Sequence, residues 1–375
     1  MRTVTNSLPW RLVVRLLRTV VRWMRAMVLK EFLELRRDRR TMVMIVALPL
    51  LLLVVFGYAA NFTVTSIDTQ VLGPQAAKVA AELKAPFHVT KIDPSAGAEQ
   101  GVDALRSGDA GAVVVTGEAP GPSTVQIDGS QLFSAQSASA TARASGGALV
   151  PQVLFNPELK TSWVMVPALV GMIMAFIGTI ITAIGLVRER QTGTLEQLAV
   201  MPFKPSDVIA GKIIPYFVLA AFDMVLVTAL GCLLFGVPFA GNVLVFALGA
   251  ALFLFTTLGI GVLISTVSQN QGQAMQLALM TMMPQILLSG MIFPLSAMAA
   301  GVRWIGYLLP LTYFNRISLG VMLRDAPLSS LAFPLGILAL MAVVVFTAAV
   351  LRFRRDLAPA KPHAAKVPAA AGSAA

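Results

Sequence analysis

The chain has 375 residues, of which 57% are hydrophobic and 13% charged, with a mean hydropathy of +0.78. Soluble domains average about 45–50% apolar and about 25% charged residues. An ordinary soluble protein is therefore excluded, and the question becomes how many stretches can cross a bilayer, at roughly 20 residues each. The single cysteine, Cys232, excludes an internal disulfide, a Cys-rich zinc site and an iron–sulfur cluster. With His88 and His363 as the only histidines, no histidine-built metal or catalytic site is expected. The net charge of +11 is assigned to basic loops facing anionic lipid rather than to nucleic acid.

Residues 10–35 are read as a cationic amphipathic helix. Arg11, Arg15, Arg18, Arg22 and Arg25 recur at steps of four and three and share one face. Val13, Leu16, Val20, Met24 and Met27 hold much of the opposite face, a pattern suited to lying flat in cytoplasmic headgroups.

Six stretches meet the length test: Met42–Ala60, Trp163–Val187, Ile213–Phe235, Val243–Val267, Ala274–Leu295 and Leu331–Leu351. The first is too far from the N-terminus to be a signal peptide. The shorter Trp304–Asn315, with Pro310 inside, is read as re-entrant or interfacial. Arg36, Arg37, Arg39 and Arg40 before the first span, Arg188 and Arg190 after the second and Arg352, Arg354 and Arg355 after the sixth set the orientation. They fall on one side if both termini are cytoplasmic. Arg303, Arg316 and Arg324 dissent; a pairing of Arg324 with Asp325 would neutralise one of them.

Residues 65–162 form a large insertion, about 98 residues long, between the first two spans. Phe87–Ile92, Ala112–Val115 and Thr124–Ile127 read as strands, and Pro74–Lys84, Ala96–Arg106 and Ala135–Leu149 as helices. The fold class expected is an α-helical polytopic membrane protein with six transmembrane helices, an N-terminal interfacial helix and a small α/β extracytoplasmic domain. The insertion contains no catalytic constellation and is read as a lid or stalk in preference to a ligand-binding domain. The Ala/Pro/Lys-rich stretch 358–375 is expected to be disordered.

Between the second and third spans the chain runs Arg188-Glu-Arg-Gln-Thr-Gly-Thr-Leu-Glu-Gln-Leu198, then Met201-Pro202 and Gly211-Lys212. Thr194-x-x-Gln197 is a capping-box pattern and predicts a short helix that stops before Pro202.

This link, with Ile127-Asp-Gly-Ser130, Phe155-Asn-Pro-Glu158, Ser265-Thr-Val-Ser-Gln-Asn-Gln-Gly-Gln273, Leu288-Ser-Gly-Met-Ile-Phe-Pro294 and Leu309-Pro-Leu-Thr-Tyr313, resembles the permease subunits of type-2 ATP-binding-cassette exporters. The branch is the one with a large outer domain between the first two spans, and the likeness covers nearly the whole chain. Two departures stand at the outer mouth: Ser318-Leu319-Gly320 replaces the family's usual Arg-Gly pair, and Arg324-Asp325 replaces Lys-Gly.

The resemblance implies a cytoplasmic connecting helix over 1–41, a first transmembrane helix over 42–64 and the outer domain over 65–162. A transmembrane domain over 163–352 would carry a coupling loop at 188–212 and a re-entrant outer segment at 296–330, followed by a cytoplasmic tail over 353–375. It further implies that Arg188, Glu189, Arg190, Gly193, Thr194, Glu196, Gln197 and Leu198 meet an ATP-binding cassette subunit. A second permease, as a copy or a paralogue, is implied too, in the cell membrane of a bacterium. The only Gly-Lys, Gly211-Lys212, lacks the upstream glycine and the following hydroxyl of a phosphate-binding loop. The chain is thus expected to bind no cofactor and to catalyse nothing itself, with ATP and Mg held by the partner subunit.

Asp223 is the single acid within a span, where a carboxylate costs several kcal/mol unless protonated, paired or hydrated. It either faces the translocation path or a subunit interface, or is protonated and bonded to Thr179, Thr182 or Thr228. Pro284, Ser289, Gly290 and Pro294 interrupt the fifth span and are read as part of a kinked outer gate. Met280, Met282, Met283 and Met291 either line an adaptable apolar path or simply pack between helices. The substrate inferred is hydrophobic or amphipathic: a drug, lipid or glycolipid. Two other classes remain open, an ion-coupled secondary transporter and a membrane-anchored sensor.

Overall fold

The computed structural model describes Val64, residues 66–118, 121–193 and 205–357, and nine positions between Arg18 and Leu53. The amphipathic helix and the first span therefore lie largely outside the described residues, as do the helix expected after Thr194 and the tail from 358. Arg18, Arg22 and Arg25 are helical and exposed; Arg11 and Arg15 lie outside.

Alternating and β-branched stretches form a five-stranded sheet: β1 (Ile67–Leu72), β2 (Phe87–Asp93), β3 (Ala112–Val115), β4 (Ser123–Asp128) and β5 (Leu149–Leu154). Its spatial order is β2-β1-β3-β4-β5, parallel throughout except for the antiparallel β3–β4 pair. Helices α1 (Ala76–Glu82), α2 (Ala98–Ser107) and α3 (Leu132–Ala144) connect the strands. One apolar cluster joins Val71, Val114, Val125 and Ile127 of the sheet to Ala135 and Ala138 of α3. The opposite face packs Leu72 and Val113 on Leu105 of α2. The stretch Ala135–Leu149, expected to be wholly helical, instead ends its helix at Ala144 and enters β5 at Leu149.

The second half is helical. α4 (Thr161–Phe176) runs through a π-turn (Ile177–Ile181) into α5 (Thr182–Gln191), and α6 spans Pro205–Phe235. Then come α7 (Val243–Val267), α8 (Gln271–Leu288), α9 (Ala300–Gly306), α10 (Pro310–Met322) and α11 (Leu328–Leu357). Among the described residues, four helical stretches are long and apolar enough to cross a membrane: Thr161–Gln191, Ile213–Phe235, Val243–Val267 and Leu328–Arg352. The uncharged stretch Ala274–Leu295 is not one helix. α8 stops at Leu288, and the chain turns through Ser289 and Gly290, whose φ is +86°.

The π-turn packs closely on α7. Gly261 on α7 lies so close that a Cβ there would sit 2.8 Å from the Thr179 carbonyl oxygen and 2.9 Å from that of Gly178. The Thr179 hydroxyl also donates to the Thr257 carbonyl at 3.4 Å. α10 packs inside the helical half: Leu311, Phe314, Ile317 and Met322 are fully or almost fully buried. Phe314 stacks on Phe253 of α7 at 4.8 Å and touches Gly171 of α4. The neighbouring α9 region instead exposes Trp304, Tyr307 and Leu308.

Candidate functional site

Three places carry the residues singled out above. The first is the end of α5. Arg188, Glu189 and Arg190 occupy its last turns, and the Thr192 and Gly193 amides donate to the carbonyls of Arg188 and Arg190 at 3.0 and 3.2 Å. Gly193 has φ +76° with open space around its Cα. The glycine is there for its left-handed conformation, which stops the helix. Thr194, Glu196, Gln197 and Leu198 lie outside the described residues.

This end is tied to the α7–α8 loop. Arg190 Nη1 donates to the Ser268 carbonyl at 3.3 Å, and Gln271 Nε2 donates to Gln191 Oε1 at 3.1 Å. The loop is itself held by Asn270, whose side chain accepts from the Gln273 amide at 2.9 Å and caps α8. Ser268 and Gln271 were legible only as part of the stretch 265–273, with no assigned role.

The second place is a groove of about 360 Å³ between α4 and α8, lined by Met172, Ile173 and Phe176 on one side and Leu279, Met282, Met283 and Ile286 on the other. Its lining is entirely apolar. Pro284 is half-buried within α8, Ser289 is buried and Gly290 exposed at its C-terminal end, and Pro294 is half-buried beyond. None of these four lines the groove. Asp223, on α6, does not line it either. Its Oδ2 is enclosed and accepts no hydrogen bond from any described residue. The Thr182 and Thr228 hydroxyls likewise have no partner among the described residues, and Thr179 is bonded to Thr257, so the threonine-bonded reading of Asp223 is not realised.

The third place was not anticipated. Arg324 does not pair with Asp325, which is exposed at φ +49° beyond the end of α10. Its Nη1 instead lies 3.6 Å from Oδ2 of Asp128, at the end of β4. Asp128 also accepts from the Ser130 amide at 2.9 Å and from Gln131 Nε2 at 3.4 Å. Beside it, Asn156 is fully buried. Its Oδ1 accepts from the Lys160 amide at 2.9 Å, and its Nδ2 donates to the Lys160 and Gly129 carbonyls at 3.1 and 3.4 Å. Two of the motif stretches, Ile127–Ser130 and Phe155–Glu158, thus meet at the joint between the sheet and the helices. An apolar collar of Leu132, Val164 and Leu323 surrounds that joint.

The other dissenting arginines have structural work as well. Arg303 donates to the Ser296 and Met298 carbonyls, each at 3.0 Å, and Arg316 lies over the Tyr307 ring at 5.7 Å. Among the described residues, no group of three or more His, Cys, Asp or Glu is arranged to hold a metal ion.

The chain has recognisable relatives among known proteins. The family model for "ABC-2 family transporter protein" matches residues 39–351. The chain is 29% identical over 327 residues to "Probable multidrug ABC transporter permease YbhS" of Escherichia coli K12, covering 78% of this chain and 86% of that one. It is 32% identical over 209 residues to "Probable multidrug ABC transporter permease YbhR" of the same organism, covering 56% and 57% of the two chains. It is also 33% identical over 221 residues to the "Inner membrane transport permease YhhJ", covering 56% of each. With four apolar helices of spanning length and a family match across most of its length, the chain belongs to the ABC-2 transporter family, as a multi-pass membrane permease.

Proposed function

We propose that this chain is the membrane-embedded permease of an ATP-driven exporter for hydrophobic or amphipathic compounds, moved by an ATP-binding cassette subunit on a separate polypeptide. ATP and Mg belong to that subunit, and this chain binds no cofactor. The observation that carries the reading is the clamp on the end of α5, where Arg190 and Gln191 are tied to the α7–α8 loop. A push delivered at 194–198 would pass into α5 and α8 together, and these helices continue into the two walls of the apolar groove.

In this reading residues 42–60 and the broken α8 segment complete six crossings, both termini are cytoplasmic and the sheet domain stands outside. The roles of Arg303, Arg316 and Arg324 in capping, ring stacking and ion pairing support that orientation. Arginines engaged in this way need not be counted as inside markers. An apolar groove in a single copy favours a second permease facing it. The relatives' names, multidrug permeases, favour an apolar cargo.

The test is co-purification with the ATP-binding subunit. Glu196→Ala with Gln197→Ala is expected to abolish it, and Arg190→Ala to preserve binding but weaken stimulation of ATP hydrolysis. Retained binding and full ATPase stimulation in the 196/197 variant, or labelling of a cysteine at position 194 from outside the cell, would overturn the reading.

A further inference from the structure

The α8–α10 seam at the outer end of the groove contains polar groups that the coupling scheme does not use. Gln285 and Ser289 are one turn apart on α8 and are 1% and 2% exposed; Asn315 on α10 is 5% exposed. Asn315 Nδ2 donates to Ser289 Oγ at 3.3 Å, and Gln285 Nε2 reaches back to the Thr281 carbonyl at 3.5 Å. Each amide nitrogen therefore makes one hydrogen bond. The opposite ends make none: Gln285 Oε1 and Asn315 Oδ1 accept no hydrogen bond from any described residue. Burying two amide oxygens without partners destabilises a fold, and leucines of similar volume would fit the seam without that cost. Native side chains that retain such a cost are often serving a ligand.

We propose that Gln285, Ser289 and Asn315 form a hydrogen-bonding station for the amine of an amphipathic cargo. The atoms left with no hydrogen bond at all are carbonyl oxygens, which accept and cannot donate. The seam therefore favours compounds bearing N–H groups, whose protons can meet the two unbonded oxygens. No basic side chain stands in the groove wall, which is formed by apolar residues such as Phe176, Met282 and Ile286. Ser289 continues, three residues on, the α8 face that carries Ile286, so an apolar tail in the groove would bring its head group to the station. Access is provided where the backbone is least tied. Pro284 lacks an N–H for the helix ladder, and Gly290 at φ +86° ends α8 just beyond Ser289. The proposal rests on reading the groove as part of the export path.

The test uses the purified full-length permease in detergent micelles and two fluorescent probes with the same tail and the same charge. One is a dansyl-labelled dodecylamine, the other its trimethylammonium analogue, which has no N–H on the charged nitrogen. The wild type is expected to bind the amine about five-fold more tightly, the size of one or two hydrogen bonds to neutral acceptors. Gln285→Leu and Asn315→Leu should each erase that preference, leave affinity for the quaternary analogue within about two-fold, and melt no lower than the wild type. Lower melting temperatures with the preference intact would make the amides structural and overturn the proposal. Equal binding of both probes by the wild type would also overturn it, as would tighter binding of an alkyl sulfate of the same length, while the export reading stands. If the wild type binds neither probe, both readings fall.

Discussion

Nη1 of Arg324 lies 3.6 Å from Oδ2 of Asp128, joining the turn just after α10 to the end of β4 across 196 positions of sequence. The Asp128 side chain is wholly buried, that of Arg324 is 11% exposed, and Gly108 approaches so closely that a Cβ would lie 2.6 Å from Nη1. Removing one partner of a buried pair costs about 3–5 kcal/mol, because the other charge stays enclosed. Asp128→Asn is therefore expected to lower stability by about 3 kcal/mol, the lower end because Arg324 keeps some solvent. Arg324→Met on top of it should restore most of the loss. Denaturant unfolding in micelles, followed over the four-variant cycle, checks this; additive losses would mean that the two charges are not coupled.

A second expectation concerns the neighbouring hinge. Phe155 and Leu159 have φ values of +63° and +51°, which non-glycine residues rarely adopt, and Asn156 holds the segment between them with three hydrogen bonds. Asn156→Ala leaves the Lys160 amide and two carbonyls without their partner and is expected to cost about 2 kcal/mol. Limited proteolysis should then cut within 155–160, a site protected in the wild type. An unchanged digestion pattern would show that the apolar collar alone holds the joint.

How far these features could be read beforehand depends on the range of the interaction. β2, β3 and β4 were legible because their β-branched residues are contiguous. β1 and β5 were not read as strands; Pro151 within β5 is tolerated because β5 is an edge strand that needs partners on one side only. Pro310 was taken as an interruption within Trp304–Asn315, whereas it occupies the first turn of α10, where its missing N–H costs nothing. The Asp128–Arg324 pair left no local pattern, so the neighbouring Asp325 was offered as the partner of Arg324 instead. The motif stretches Ile127–Ser130 and Phe155–Glu158 could be recognised, but not that they form a joint. The groove required the contact of α4 with α8, which no periodicity specifies. Its methionines were visible: Met282 and Met283 both line it, and Met282 is also buried in the core.

The π-turn yields a third prediction. An added methyl at Gly261 would press on two backbone carbonyls of the turn, which cannot rotate aside as a side chain can. Gly261→Ala is expected to cost about 1–3 kcal/mol, as overpacking does. Gly336→Ala on α11 meets nothing within 4 Å and should be neutral or stabilising by up to about 1 kcal/mol. Comparing the two melting temperatures separates a packing effect from a general response of glycine in helices.

The last prediction concerns Asp223. Around it α6 exposes Phe222, Val225 and Leu226, a face suited to lipid, yet the carboxylate is half-buried with one oxygen enclosed and unbonded among the described residues. An acid at this depth burdens the fold by several kcal/mol unless a partner relieves it, and an amide of the same shape would be cheaper. Asp223→Asn is expected to stabilise the purified chain by about 1–2 kcal/mol while reducing transport at least about ten-fold, which corresponds to roughly 1.4 kcal/mol. Opposite movements of stability and transport would mean that the charge is retained for use, at the cargo path or against a second permease. If the variant were more stable and transported as well as the wild type, the acid would have no part in export.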